Sequence, residues 1–587
     1  MRWVTQVVAF WAAMAAAAIA PQSGAADDPC AQIAAACTQA GFVRGGASKG
    51  SGLEVDCVRP IIEGKGGAKR SAKPLPQVDS QVVAACRAAN PGLGQRGASS
   101  RGAEPPPGSA SSPVASLPSG PAQSAAAKKP NIVFVLTDDL SWNLVRYMPH
   151  VLRMQKEGVT FINYFVTDSL CCPSRSSIFT GRYPHNTGIF RNVGDDGGYR
   201  AFRNRGHEQA TFATALSASG YRTAMLGKYL NGYMPRVDPA GPGWTYWAVA
   251  GNGYPGFNYD LNENGKVVRY GSEPRDYMTD VLSGLAVRFI KDRASAPFVI
   301  EVATFAPHAP YTPAPRDANA FPGLRAPRAA SFDAAPDANA PQWLKAHRAL
   351  SDSDTAAIDR DFRKRAQSVV AVDALIGELQ AAVAAIGEER NTYFVFSSDN
   401  GYHMGEHRLL PGKMTAFDTD IRVPLIVTGP GIRAGLVVQE IVENIDLCPT
   451  FAELGGMVPS PNIDGRSLVP LLRGESVAGW RSFALVEHHG PVKDLVDPDL
   501  PSPRSGNPTT YEAIRGWDSL YVEYADGEKE YHAFANDPNE LRNAFSLLSP
   551  EAQAALHAAV TAAAACRGVE GCSTAELTER NLRPRRP

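Results

Sequence analysis

The chain has 587 residues, enough to bury a large core and a second domain. Its 58 basic and 59 acidic residues leave a formal net charge of -1, so no overall cationic field exists to hold nucleic acid. Hydrophobic residues at 44% and charged residues at 20% match ordinary globular averages, which excludes a wholly disordered chain and a polytopic membrane protein.

The first segment reads as an export signal. Arg2 precedes an uncharged run from Val7 to Ala20, and the small residues Gly24, Ala25 and Ala26 follow before Asp27 and Asp28. A basic start, an apolar stretch too short to cross hydrocarbon and a small-residue cleavage zone predict a signal peptide over residues 1–26. A secreted or periplasmic protein without stable membrane insertion is the consequence, and export permits disulfides. Cys30, Cys37, Cys57 and Cys86 fall in a small module over residues 27–93, with three pairings open. Cys566 and Cys572 are close enough to close one small loop. Zinc is disfavoured, since no Cys-x-x-Cys or nearby His pair accompanies them. Residues 94–130, rich in Pro, Ser, Ala and Gly, read as a semi-extended linker.

Beyond the linker, apolar runs over 131–136, 221–226, 298–304, 392–396 and 425–427 alternate with helical patterns near 208–217, 277–291 and 365–385. Continuous Val, Ile and Phe runs bracketed by helices predict an α/β fold, a large mostly parallel central sheet flanked by helices, over residues 131–455. Short strands near 482–489 and 521–524 place a smaller C-terminal α+β subdomain and tail over 456–587. In open α/β sheets, functional groups gather where strands end. One strand ends in Asp138 and Asp139, another in Asp399 and Asn400. Two pairs of hard oxygen donors on one sheet edge suit a divalent cation such as calcium or magnesium, although a single Asp after a strand more often caps a helix or makes a turn.

Between these pairs lies Leu170-Cys171-Cys172-Pro173-Ser174-Arg175, running on to Thr180-Gly181-Arg182. Pro173 fits a first helical turn, and Arg175 stands one turn from Cys171. A thiol at a helix N-terminus beside Arg makes an anion-binding corner or a cysteine nucleophile.

The string C-x-P-S-R-x-x-x-x-T-G resembles the signature of the sulfatase family. Gly227-Lys228-Tyr229-Leu230-Asn231, Ala306-Pro307-His308-Ala309-Pro310 and Asp399-Asn400-Gly401 through Lys413 to Pro424 resemble further motifs of that family, in family order. Their wording is most similar to the N-acetylglucosamine-6-sulfatase branch. The resemblance implies an alkaline-phosphatase-like fold and hydrolysis of sulfate monoesters on sulfated glycans or small molecules. It implies that a formylglycine-generating enzyme oxidises Cys171 to Cα-formylglycine, whose hydrate forms a sulfo-enzyme intermediate. Asp138, Asp139, Asp399 and Asn400, with residue 171, match the ligands of Ca2+, with Mg2+ or Mn2+ also compatible. Arg175, Lys228 and Lys413 match the cations around the sulfate, and His308 matches the group that protonates the leaving oxygen.

One departure stands out. Many sulfatases have Lys-x-His where this chain has Lys228-Tyr229-Leu230, and His185 or Asn231 is the candidate to replace the missing histidine. If His185 serves, His185→Ala lowers turnover more than affinity. His403 and His407, on the loop after the second acidic pair, are candidates for substrate contact or support. Two other readings share these residues: an aryl sulfate, phosphonate or phosphodiester hydrolase using the same aldehyde, and a non-catalytic glycan-binding protein in which Cys171 stays a thiol.

Overall fold

A computed structural model of the chain describes residues 29–40, 42, 57–58, 60–61, 74–89, 128–292, 296–495, 497 and 499–577. The expected signal peptide, nearly all of the linker and the basic tail lie outside the described residues. The chain divides into two compact units, Met1–Ala122 and Gln123–Pro587. In the first, helices Pro29–Gln39 and Ser80–Ala89 carry a small core of Ile33, Phe42 and buried cysteines. A disulfide joins Cys37 to Cys57 there, and Cys86 is disulfide-bonded. So small an apolar cluster needs covalent help, because little surface is available to bury.

The second unit is built on a ten-stranded sheet. Its middle holds five parallel strands, in the order Thr392–Ser398, Asn131–Thr137, Phe298–Ala303, Arg222–Lys228 and Tyr246–Ala250. Asn131–Thr137 and Phe298–Ala303 are buried along their whole length, which explains their mostly apolar sequences and leaves Glu301 as a buried acid within the second. Antiparallel pairings occur only toward the edges, through Leu425–Thr428 on one side and Asp260–Glu263 with Lys266–Arg269 on the other. Helices Met278–Lys291 and Asp352–Ala385 cover one face. Cys171–Thr180, Phe212–Ala218 and Leu447–Leu454 cover the other.

Two helix boundaries differ from the sequence expectation, each for a capping reason. The helix expected from residue 365 begins at Asp352, because Ser351 and Asp354 form a capping box ahead of a polar first half. The helix expected near 208–217 starts at Phe212, where Thr211 and Thr214 cap it reciprocally, and His207–Gln209 forms a separate 3-10 turn.

The C-terminal subdomain is a four-stranded antiparallel sheet, Phe483–His488, Tyr511–Gly516, Ser519–Tyr524 and Lys529–Ala533, backed by helix Pro550–Ala564. Cys566 and Cys572 are disulfide-bonded, as their spacing suggests. Arg481, fully buried just before the first of these strands, ties the subdomain to the large sheet's loops. Its Nη2 donates to Asp446 Oδ1 at 2.9 Å, and Nε lies 3.3 Å from Glu443 and 3.5 Å from Glu576. Removing the cation would take one partner from each of three buried acidic groups, so Arg481→Ala should destabilise the protein by about 3–5 kcal/mol, read as a lowered midpoint in chemical denaturation.

Candidate active site

The central strands deliver their C-terminal residues to one edge. Asp138 and Asp139 follow Asn131–Thr137, while Asp399 and Asn400 follow the adjacent Thr392–Ser398. Asp139 adopts φ 65, a left-handed conformation that costs energy for a residue with a Cβ. Two hydrogen bonds hold it in place: its N–H donates to Asp399 Oδ1 at 3.2 Å, and its Oδ1 accepts from Asn400 Nδ2 at 2.7 Å. Lys228 ends the Arg222–Lys228 strand, and Gly227 before it must be glycine. At φ 92, a Cβ there would lie 2.0 Å from the Ala303 carbonyl oxygen.

Cys171 opens helix Cys171–Thr180 and points its thiol into this edge, fully buried. Its Sγ lies 3.2 Å from Asp138 Oδ1 and 2.9 Å from Lys413 Nζ. Lys413 also reaches Asp139 Oδ1 at 2.7 Å, and Lys228 Nζ reaches Asp138 Oδ2 at 2.6 Å. Arg175, one turn along the helix, donates from Nε to Asp399 Oδ2 at 2.8 Å and from Nη1 to the Lys228 carbonyl at 2.8 Å. His308 Nε2 lies 3.6 Å from Asp139 Oδ2, and its ring packs 4.5 Å from that of Tyr254. One buried knot therefore contains Asp138, Asp139, Cys171, Arg175, Lys228, His308, Asp399, Asn400 and Lys413.

The electrostatics follow from this crowding. Burial pushes Asp138 up, and Asp399 and Asp139 add to that against the pull of Lys228. Burial would raise Asp399 too, but Arg175, Lys228 and Lys413 outweigh it and hold it below the usual carboxylate range. Both lysines are held well above their ordinary value despite burial, Lys228 by Asp138 and Lys413 by Asp139 and Asp499. Burial and the carboxylates Asp138 and Asp499 push the Cys171 thiol up. An ordinary thiolate nucleophile is therefore disfavoured at residue 171.

The donor set fits a hard divalent cation. Asp139 Oδ2 and Asn400 Oδ1 are buried without hydrogen-bond partners, and ligand atoms of Asp138, Asp139, Cys171 and His308 lie within 4.8 Å of one another.

Four expected residues stand apart. Asn231 touches Tyr254 Oη at 3.3 Å and reaches the knot only through that ring. His403 is held by Asp420 at 2.9 Å and by the Ser505 carbonyl at 2.9 Å. Its backbone pairs with Gly412, which seats the neighbouring Lys413. His407 stacks on Phe417 at 4.0 Å, and burial lowers its pKa to about 3, so it is a neutral packing ring. His185 is bound by Glu487 at 2.9 Å and by the Cys566 carbonyl at 2.8 Å, which occupies both ring nitrogens away from Cys171. That geometry replaces the expected turnover effect of His185→Ala with a structural one.

Sequence reasoning missed Asp499. It enters from the C-terminal subdomain and places Oδ1 2.5 Å from His308 Nε2 and 3.0 Å from Lys413 Nζ. Asn192 Nδ2 holds its other oxygen at 2.7 Å, while Asn192 Oδ1 accepts from the Cys172 N–H. No spacing links a loop aspartate to His308, 191 positions away, or to Cys171, 328 positions away, so only the fold could reveal it.

A sheet edge that gathers three buried cations, a histidine and hard oxygen donors around one buried cysteine suits an enzyme with an α/β fold that acts on an anionic ester. The sulfatase family model matches residues 130–457, and the model for the C-terminal region of N-sulphoglucosamine sulphohydrolase matches residues 405–562. Human N-acetylglucosamine-6-sulfatase is 35% identical over 461 residues, covering 73% of this chain and 83% of its own. An extracellular sulfatase SULF-1 homologue of Drosophila melanogaster is 34% identical, covering 62% of this chain and 34% of its own. A solved structure described as a complex with its substrate D-glucosamine-2-N,6-O-disulfate superposes with a TM-score of 0.60 at 24% identity, over 78% of this chain and 99% of the other. The phosphonate monoester hydrolase of Agrobacterium radiobacter shares the fold at a TM-score of 0.54 and 21% identity, over 71% and 92%. The chain belongs to the sulfatase family, and it is a sulfuric ester hydrolase.

The contact of His185 with Glu487 makes a prediction for stability. Burial alone would lower the His185 pKa, but the Glu487 hydrogen bond and charge raise it. A raised value means the stabilisation is fully present below about pH 6.5 and is lost as pH rises through the folded-state value. His185→Ala should therefore cost about 1.5–3 kcal/mol near pH 5.5 and progressively less toward pH 9, measured by urea denaturation across pH.

Proposed function

We propose that the chain is an exported glycan sulfatase that removes sulfate from a glucosamine-type sugar, after Cys171 has been converted to formylglycine by a maturation enzyme. The observation that carries this reading is the position of Cys171 Sγ, 2.9 Å from Lys413 and 3.2 Å from Asp138 at the meeting point of both acidic pairs. The substrate class follows from the relatives' stated activities and from the two paired family models. Disulfides in both units fit an oxidising compartment.

Asp138, Asp139, Asp399 and Asn400 would hold a calcium or similar hard cation. Hydrated formylglycine supplies a nucleophilic hydroxyl, and the cation supplies the Lewis acid that draws charge from the sulfate oxygens. The chain's own residues do the rest. Lys228 and Lys413 remain protonated and neutralise the approaching oxyanion, which would otherwise repel any attacking oxygen. Arg175 fixes Asp399 and the end of the Lys228 strand, holding ligand and cation in one frame. His308 turns Nδ1 to the Ala309 carbonyl at 2.8 Å and Nε2 to Asp499, both acceptors, so Nε2 is set to carry a proton that it can pass to the leaving alcohol. Asp499 occupies the same Nε2 and must give way when a substrate oxygen takes that place.

Protein purified from its native host should show the Cys171 peptide lighter by the replacement of its thiol with an aldehyde oxygen. Sulfur retained throughout that peptide would overturn the reading. Cys171→Ala should lose at least ~10³-fold in kcat on 6-sulfated N-acetylglucosamine, the order expected when a reacting group is removed. Chelation by EDTA should abolish turnover and added Ca2+ restore it. A parallel assay with an aryl phosphonate monoester separates sulfur from phosphorus specificity: faster turnover on phosphorus would sink the glycan sulfatase assignment.

A further inference from the structure

Glu301 stands in the middle of the Phe298–Ala303 strand, at the register of Phe134 on one side and Met225 on the other. It is fully buried, and neither of its carboxyl oxygens has a hydrogen-bond partner. A carboxyl stripped of water in the centre of a sheet costs stability that Leu or Met would not, so an unpartnered one calls for a reason. Its strand neighbours Val299 and Ala303 belong to the same apolar face as Phe134, Met225 and the helix that carries Arg175. The group opposing its desolvation is Arg175; burial nonetheless pushes Glu301 up to about 8, so at neutral pH it is a carboxylic acid able both to donate and to accept.

Arg175 shows the complementary deficit. Nε is satisfied by Asp399 and Nη1 by the Lys228 carbonyl, whereas Nη2 is buried with no partner. Two buried polar groups within electrostatic reach, each short of a bond, match the requirement of a bridging water for two or more polar partners.

We propose that Glu301 is a positioning residue for Arg175, sharing a buried water with Nη2 and thereby fixing the plane of the guanidinium. With that plane fixed, Nε meets Asp399 and Nη1 meets the end of the Lys228 strand together. Without it, the fork turns about its stem, and Asp399 and Lys228 lose their common anchor. The role concerns the chemical step rather than substrate capture, because Glu301 is fully buried in the middle of its strand. It rests on the reading of Arg175 as part of the active centre.

The test compares Glu301→Leu and Glu301→Gln in the full-length, matured enzyme, with kcat and KM on 6-sulfated N-acetylglucosamine and thermal midpoints for each. Glu301→Gln keeps a donor and an acceptor and should stay within about three-fold of wild type, while Glu301→Leu should lose about ten-fold or more in kcat with KM within about two-fold. The thermal midpoint of the Leu variant carries two opposing changes, a buried carboxyl removed and a bond to Arg175 lost, and should stay within about 3 °C of wild type. A lowered kcat at unchanged KM in the Leu variant, restored by Gln, is what a merely structural residue cannot give. Wild-type kcat in the Leu variant overturns the proposal, and so does a kcat that falls only in step with the yield of soluble, folded protein. A Gln variant as impaired as the Leu variant overturns the hydrogen-bonded link. A wild-type protein inactive on every sulfate ester would remove the underlying reading of the site, and the parent rate alone identifies that case.

Discussion

Charge compensation at a dry sheet edge is the constraint on which this molecule is arranged. Asp138, Asp139, Asp399 and Asp499 lie together beyond the reach of water. An isolated buried carboxylate would simply take up a proton, so such a group persists as a set only if cations arrive with it. Lys228, Lys413 and Arg175 come from a strand end, a loop and a helix, and each makes at least one bond to a carboxylate. Parallel strands make the convergence possible, because neighbouring strands finish at the same edge and deliver their next residues side by side. The same property that makes the edge costly to build makes it hospitable to a divalent cation and a sulfate, whose charges complete the balance.

Much of this was visible before any coordinates. The buried strands announced themselves as unbroken runs, and the acidic pairs, the Cys171 to Arg175 string, Lys228, His308 and Lys413 all lie within local motifs. These nine residues meet in one place because each motif sits just past a strand or at a helix start, where register leaves little freedom. What stayed hidden depended on distant partners. His185 looked like a catalytic substitute by its neighbours in sequence, yet Glu487 and the Cys566 carbonyl, both from the C-terminal region, claim its ring. Helix starts at Asp352 and Phe212 depend on capping side chains rather than on apolar period, so periodicity alone misplaced them.

Strain and unmet bonding are both present at this edge and on the strand beneath it. Asp139 is held in a left-handed conformation, Gly227 permits an approach no side chain could tolerate, and Glu301 and Arg175 each keep a buried polar atom unanswered. Local rules are broken where they would conflict with the positions that the chemistry requires, and the surrounding strands supply enough apolar burial to absorb the cost.

The Asp499 contact also sets an order on biosynthesis. It meets Cys171 across 328 positions of chain, so the large sheet can assemble on a ribosome while its charged edge is still one member short. Loss of the loop that carries Asp499 would take a carboxylate partner from both His308 and Lys413 while leaving the strands of the large sheet in place.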